Sequence, residues 1–356
     1  MAAKYMFEGH KLVYHLDRVH TYLAEGDAYP LYMEISPQGA CNSRCIFCAY
    51  DVLGYPDRRL ETGRFLTFLD EAAACGVRSI LYAGEGEPLL HADIGQFVAK
   101  TKEKGMDVGM YTNAQVLSRE IAEHILPSLT FLRVSFNGGN RENYARIHRV
   151  RPEVFDTVVG NIRDAVAVRD RQNLDVDIGA QFVLLEENLG DIIEAVRLLK
   201  DLGINYVAIK PFVQQSEKQH YQMRGGIAQD RLNAVFDEAE RYTDARFSVV
   251  ARRESFLGYG VRGYGHCYGT TFISCMNSAG EIASCLPYWD RQEFVFGSIY
   301  EQSFSEIWNG VRRKRIKEHL EKTLDARACP PNCRPNAANE FLWEIKHTKV
   351  RHRNFV

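Results

Sequence analysis

No run of about 18 apolar residues interrupts this chain of 356 residues, so nothing in it reads as a membrane span. The first ten residues, Met-Ala-Ala-Lys-Tyr-Met-Phe-Glu-Gly-His, lack the apolar core of a signal peptide, and a cytoplasmic protein is expected. A surplus of one charge is missing too. Lys and Arg number 44 against 46 Asp and Glu, a net charge of −2, which makes no electrostatic case for a nucleic-acid partner. What remains is an ordinary soluble globular composition, 46% hydrophobic and 25% charged, long enough for one large core and a smaller appendage. The basic cluster Arg312, Arg313, Lys314, Arg315 and Lys317 alternates into Glu318 and Glu321 and reads as a solvated helix face.

Cysteine is not scarce. Nine in a chain without an export signal argue against disulfides and for metal or redox chemistry. Cys41, Cys45 and Cys48 stand as C-x3-C-x2-C on a loop after the apolar run Leu31-Tyr32-Met33-Glu34-Ile35. Thiolates this near can converge on one iron–sulfur cluster. A four-iron cluster held by three of them keeps one iron without a protein ligand, as reactive sites do and structural sites do not. Zinc would want a fourth ligand nearby, and the nearest downstream histidine, His91, is far off in sequence. The second set is Cys267, Cys275, Cys285, Cys329 and Cys333. Two separated pairs suit a tetrahedral zinc site as well as a cluster, and ligand chemistry leaves both open. Cys75 ends an amphipathic helix and reads as core.

Residues 5–24 show a helical period through Leu12, Leu16, Val19 and Leu23. From residue 30 strands and helices alternate. Strands are expected at 31–36, 78–83, 106–112, 130–136, 174–185 and 205–210, and helices at 62–75, 92–104, 117–126, 153–169 and 190–202. Such βα units make a parallel sheet, an α/β fold with its chemistry at the C-terminal ends of the strands; open sheet and barrel are not distinguished by pattern. Beyond 212 the rhythm fades into a polar, Gly-containing segment at 213–228, a helix at 229–243 and a strand at 246–251. The expected division is a helical segment at 1–29, a barrel at 30–228, and a linker helix with a small C-terminal domain at 229–356.

With Phe47 before its third cysteine, Cys41-Asn-Ser-Arg-Cys45-Ile-Phe-Cys48 resembles the signature of the radical S-adenosylmethionine (SAM) superfamily. The resemblance covers roughly residues 30–212 and implies a partial (β/α)6 barrel. It also implies a [4Fe-4S] cluster whose open iron binds SAM, and cleavage of SAM to a 5'-deoxyadenosyl radical after reduction by a partner such as flavodoxin or ferredoxin. Gly84-Glu85-Gly86-Glu87-Pro88 is similar to the family's "GGE" motif, which holds the SAM amino group. Gly86 would admit a ligand closely and Glu87 would accept from the ammonium. Asn113 follows Tyr111-Thr112 as in the family's "TNG", with Ala114 replacing glycine, and Ser135 ends the fourth strand where a ribose or carboxylate contact is common. Gln181 and Phe47 complete the expected cofactor set, while Lys210, Gln214 and Gln215 are expected to face substrate.

The C-terminal region, from Cys267 through the Gly280 turn, Cys285, Gly297-Ser298-Ile299 and Phe304-Ser305-Glu306-Ile307-Trp308, resembles the SPASM/twitch extension of the same superfamily. This implies an auxiliary [4Fe-4S] cluster on Cys267, Cys285, Cys329 and Cys333. The final pair is C-x3-C rather than C-x2-C, and Cys275 is extra. The expected reaction is oxidation of a secondary alcohol to a ketone on a small polyhydroxylated substrate, a sugar or aminocyclitol. Neutral hydrogen-bonding groups along 210–222 and the lack of a leader-gripping N-terminal domain point that way. Competing readings are a sugar epimerase with Cys275 as hydrogen donor, a ribosomal-peptide-modifying enzyme, and a non-catalytic electron carrier or SAM-binding regulator. Between Ile273 and Met276, Cys275 reads first as core.

Overall fold

The computed structural model describes every residue except 1–9, 213, 215–218, 222–226, 258–259, 289–290, 332, 350, 353 and 356. Strands β1 (Tyr32–Ile35), β2 (Ser79–Tyr82), β3 (Asp107–Thr112), β4 (Phe131–Ser135), β5 (Asp177–Leu184), β6 (Tyr206–Pro211) and β7 (Ser248–Ala251) pair in that order, all parallel. Side chains alternate between the faces of a strand. Met33, Ile35, Ile80, Tyr82, Val108, Met110, Leu132, Val134, Ile178, Ala180, Val207 and Ile209 therefore share one face and are buried in the main core. Helices α2 (Thr62–Ala74), α3 (Ile94–Glu103), α4 (Arg119–Ile125), α6 (Glu153–Arg171) and α7 (Ile192–Asp201) cover that face, each close to an expected span, with α1 (Leu16–Glu25) before them and α5 (Arg141–His148) among them. The other face, carrying Glu34, Tyr111, Arg133, Gln181 and Lys210, is the concave interior of the partial barrel.

Three features depart from the sequence pattern. His15 leaves helical geometry at φ −135°, so the leading helix is α1 preceded by a short turn at Leu12–Tyr14; residues 5–9 lie outside the described residues. Helix α5 was not expected, because its apolar residues are few and Gly138-Gly139 precede them; Asn140 caps it, accepting from Asn143 N at 3.0 Å. A seventh parallel strand joins the six of the βα pattern: after α8 (Gln229–Glu240), β7 pairs with β6.

The C-terminal region is built onto the same sheet. Strand β8 (Ile273–Met276) runs parallel to β1 on its free side, and β9 (Glu281–Ala283) and β10 (Val295–Ser298) follow antiparallel. Among the described residues the ten strands thus order β10-β9-β8-β1-β2-β3-β4-β5-β6-β7 and the sheet stays open. Helices α9 (Arg253–Leu257), α10 (Phe304–Asn309), α11 (Val311–Lys322) and α12 (Asn336–His347) complete the chain. Arg313 on α11 is no solvated residue. It is 1% exposed, lies 3.9 Å over the Trp308 ring and grips Asp27 through two nitrogens at 2.6 and 2.8 Å. A second apolar cluster joins α1 to α12 through Val19, Tyr22, Tyr268, Phe272 and Leu342. Among the described residues no helix is long and apolar enough to cross a membrane.

Candidate active site

The loop leaving β1 is tied down on two sides. Arg44 N and Ile46 N donate to the carbonyls of His148 and Ile147 at the end of α5, at 3.1 and 2.9 Å. Glu87 N donates to Ala40 O at 2.9 Å. Gly86, at φ +69°, is where the two loops meet, and a Cβ there would run into Gln38 O. The close approach this glycine permits is to the start of the cysteine loop, at Gln38 O and Ala40 O.

Within the loop the three half-buried thiols act on one another. Burial, then Glu87, pushes Cys41 up to about 12. Burial, then Cys48 and Cys41, pushes Cys45 up, and burial also raises Cys48. Cys41 in turn feels Cys48. Thiols that oppose one another's ionisation are the donor set a cationic cluster deprotonates on binding. His148, wholly buried, sets its Nδ1 3.3 Å from Cys45 Sγ and its Nε2 3.2 Å from Asn137 Nδ2. Burial pushes this imidazole down to about 3, so it stays neutral beside the loop, stacked on Tyr144 at 4.1 Å. Sequence reading missed it, since it ends a helix the pattern did not show.

The expected SAM contacts gather at the same strand ends. Asn113 Nδ2 donates to Asn42 Oδ1 at 2.6 Å and lies 3.9 Å from Cys41 Sγ. Phe47 meets His148 edge-on at 6.0 Å, and Ser135 and Gln181 are partners in register, half-buried on the concave face. Glu87 accepts from the Thr112 hydroxyl at 2.6 Å, Asn113 N at 2.7 Å and Leu89 N at 3.1 Å, and so ties the ends of β2 and β3 together. Glu85 accepts from Ser278 N at 2.8 Å and its hydroxyl at 2.6 Å, docking the β8–β9 turn on the barrel.

Below the loop the concave face is charged. At its floor Arg133 donates to the Tyr111 hydroxyl at 2.6 Å and the Tyr206 hydroxyl at 3.0 Å; the Tyr206 ring fills the space over Gly179. Glu34 of β1 meets Arg334 at 2.6 Å and the Tyr32 hydroxyl at 3.1 Å. Lys210 lies half-buried near the end of β6. Burial and then Arg252, Arg334 and Arg133 push its ammonium down to about 7. Gln214 is half-buried beyond β6, and Gln215 lies outside the described residues. Cys275 is opposite Glu34 in register but only 1% exposed, packed with Tyr50, Leu53, Ala283 and Val295.

The late cysteines converge from three segments. Cys333 feels Cys267, Cys285 and Cys329, and Cys285 feels Cys275, Cys267 and Cys329, in addition to burial. Asn339 of α12 donates to Cys267 Sγ at 3.4 Å while accepting from Tyr268 N and Gly269 N. Among the described residues no three His, Cys, Asp or Glu side chains are spaced to hold a single metal ion. Both cysteine sets fit clusters.

The geometry is that of a radical SAM enzyme, and the chain belongs to that superfamily: the Radical SAM superfamily profile matches residues 35–199, and the SPASM iron–sulfur cluster-binding domain matches 267–335. A SAM-binding [4Fe-4S] cluster, auxiliary iron–sulfur binding and SAM itself go with these two domains. The chain is similar to AdoMet-dependent heme synthase of Methanosarcina barkeri, 24% identical over 305 residues, 79% of this chain and 83% of that one. It is similar to PqqA peptide cyclase of Granulibacter bethesdensis, 21% identical over 317 residues, 85% and 78% of the two chains. The fold matches Streptococcus suis SuiB bound to S-adenosylmethionine at a TM-score of 0.66 and 17% identity, over 86% of this chain and 72% of that one.

Proposed function

We propose that this radical SAM enzyme removes a hydrogen atom from a substrate seated in the barrel lumen and completes a two-electron oxidation there. When bound, the cluster on Cys41, Cys45 and Cys48 supplies the electron that splits SAM to a 5'-deoxyadenosyl radical, and the one on Cys267, Cys285, Cys329 and Cys333 supplies a sink for the electron left on substrate. The observation that carries the reading is Arg334. Next in sequence to Cys333, it reaches Glu34 on the lumen face of β1 at 2.6 Å, so one ion pair joins the auxiliary thiols to the chamber under the SAM loop. Asn113, Ser135 and Gln181 line the strand ends where SAM is expected. Gln219 closes over the loop, its amide donating to Phe47 O and Cys48 O at 3.3 and 3.2 Å. We count 229–251 with the barrel because β7 extends its sheet. A flavodoxin- or ferredoxin-like donor and a cytoplasmic setting belong to the same reading.

The epimerase alternative has less support: Cys275 shares the lumen face with Glu34, but it donates toward Ala283 O at 3.5 Å and is 1% exposed, packed under Tyr50 and Leu53. A neutral sugar or aminocyclitol also loses ground, because charged side chains line the lumen. Relatives named for heme and for a peptide do not choose a substrate. The test is reductive cleavage of SAM. The anaerobically reconstituted wild type should yield 5'-deoxyadenosine with dithionite, and the Cys41→Ala, Cys45→Ala, Cys48→Ala triple variant none; product from the triple variant would overturn the reading.

A further inference from the structure

We propose that the lumen holds an anionic group of the substrate, a carboxylate or a phosphate, against the Lys210 ammonium, flanked by Arg334 from the C-terminal domain. This rests on the lumen being the substrate chamber, and it deepens that reading by assigning a substrate class.

The placement comes first. Tyr206 and Lys210 are four residues apart on β6, about 13 Å at the rise of a strand, so the ammonium stands well above the aromatic floor and near the strand ends. Even residues of β6 share one face, and the odd ones, Val207 and Ile209, are buried in the helix-side core. Lys210 therefore projects into the chamber, where it keeps partial exposure.

The charges around it are lopsided. Among the described residues no carboxylate forms an ion pair with Lys210, and Arg252, Arg334 and Arg133 each disfavour its charge while Glu34 favours it. That carboxylate is already engaged by Arg334 and by the Tyr32 hydroxyl. Arg133 is committed to the floor by the two tyrosine hydroxyls. A half-buried ammonium that no described carboxylate pairs is costly, and a bound anion offsets that cost where a neutral polyol would not. An anion at Lys210 also reverses the direction in which its neighbours push the ammonium.

The experiment uses the cluster-loaded enzyme with SAM bound and three probes at fixed ionic strength: glutarate, inorganic phosphate and myo-inositol, titrated by calorimetry. At least one anion should bind the wild type, while myo-inositol gives no measurable heat. Phosphate without glutarate assigns a phosphate, and the converse a carboxylate. Lys210→Met should weaken the anion about tenfold or more, and Lys210→Arg, which keeps the charge, should stay within a few-fold of wild type. Lys210→Gln replaces the methionine variant if that one fails to load iron, with the same expected loss. Equal anion affinity in the wild type and the neutral variants, or binding of myo-inositol alone, would overturn the proposal. SAM cleavage in the same wild-type preparation separates the two levels. 5'-Deoxyadenosine without anion binding removes the anion site only, and anion binding without 5'-deoxyadenosine removes the radical reading only.

Discussion

The two cysteine sets reach the same kind of ligand by opposite routes. Cys41, Cys45 and Cys48 lie between residues 41 and 48, and one loop seated on the end of α5 presents them all. Cys267, Cys285, Cys329 and Cys333 come from before β8, after β9 and before α12, and only the folded domain brings them together. A local site depends on its loop, whereas a dispersed site depends on every contact that positions its parts. The first should therefore survive damage to the second.

The largest expected effect breaks that comparison directly. Cys285→Ala with Cys333→Ala should lower the iron of the reconstituted protein from about eight to about four per chain, by the count of two four-iron clusters. SAM cleavage to 5'-deoxyadenosine should persist, because none of its ligands is touched. Iron analysis with a quantitative 5'-deoxyadenosine assay checks both. Zinc in place of iron in the wild-type C-terminal set would remove the electron-sink role and leave the radical step intact. Loss of SAM cleavage together with the late cysteines would show that the two sets are not independent.

The same contrast explains what was legible. The barrel's strands and helices could be placed from period and breakers because each βα unit is local, and the three-cysteine loop because its ligands are neighbours. Where a role is conferred by a partner distant in sequence, pattern fell short. The pattern did not show that Gly86 lies against the chain entering the cysteine loop, because nothing local places Gln38 there. Arg313 looked solvated because i,i+4 charge alternation is blind to Trp308 and Asp27. His148 and Arg334 carried no motif, although Arg334 directly follows an expected ligand and could have been weighed for that reason. The neutral character read into residues 210–222 described one segment; the charge of the lumen is set by β1, β4, β6 and Arg334 together.

Arg334 sharpens the comparison at a smaller scale, being the point where the dispersed site touches the barrel. Arg334→Met leaves Glu34, whose side chain is 4% exposed, without its cation. Breaking a fully buried pair costs about 3–5 kcal/mol, and the 37% exposure of Arg334 argues for about 2 kcal/mol here, a melting shift of a few degrees. Adding Glu34→Gln should recover part of that loss, since the double variant no longer buries an unpaired charge. Calorimetric melting of the four forms gives the coupling directly, and strictly additive losses would mean that the pair does not join the two regions energetically.

The smallest expected effect concerns another clasp between the C-terminal region and the start of the barrel, Arg313 with Asp27. Burial works to raise the Asp27 pKa, but the two hydrogen bonds and the charge of Arg313 prevail, so the carboxyl sits below its ordinary value of 3.8. A carboxyl whose pKa is lower folded than unfolded binds fewer protons in the folded state. Its stabilisation is therefore fully present above the ordinary value and fades as the pH falls through the lowered folded one. Asp27→Asn, which keeps an acceptor for the guanidinium but no charge, should cost about 1 kcal/mol near pH 7, a modest figure because the Asp27 side chain is 34% exposed. That gap to the wild type should stay flat down to about pH 5 and close below the ordinary value of 3.8. Urea unfolding of both proteins across this range removes the contribution of every other carboxylate by difference. A gap that widened toward acid would mean that Asp27 is protonated more readily folded than unfolded, and the Arg313 clasp would not be what holds α11 to the chain leading into β1.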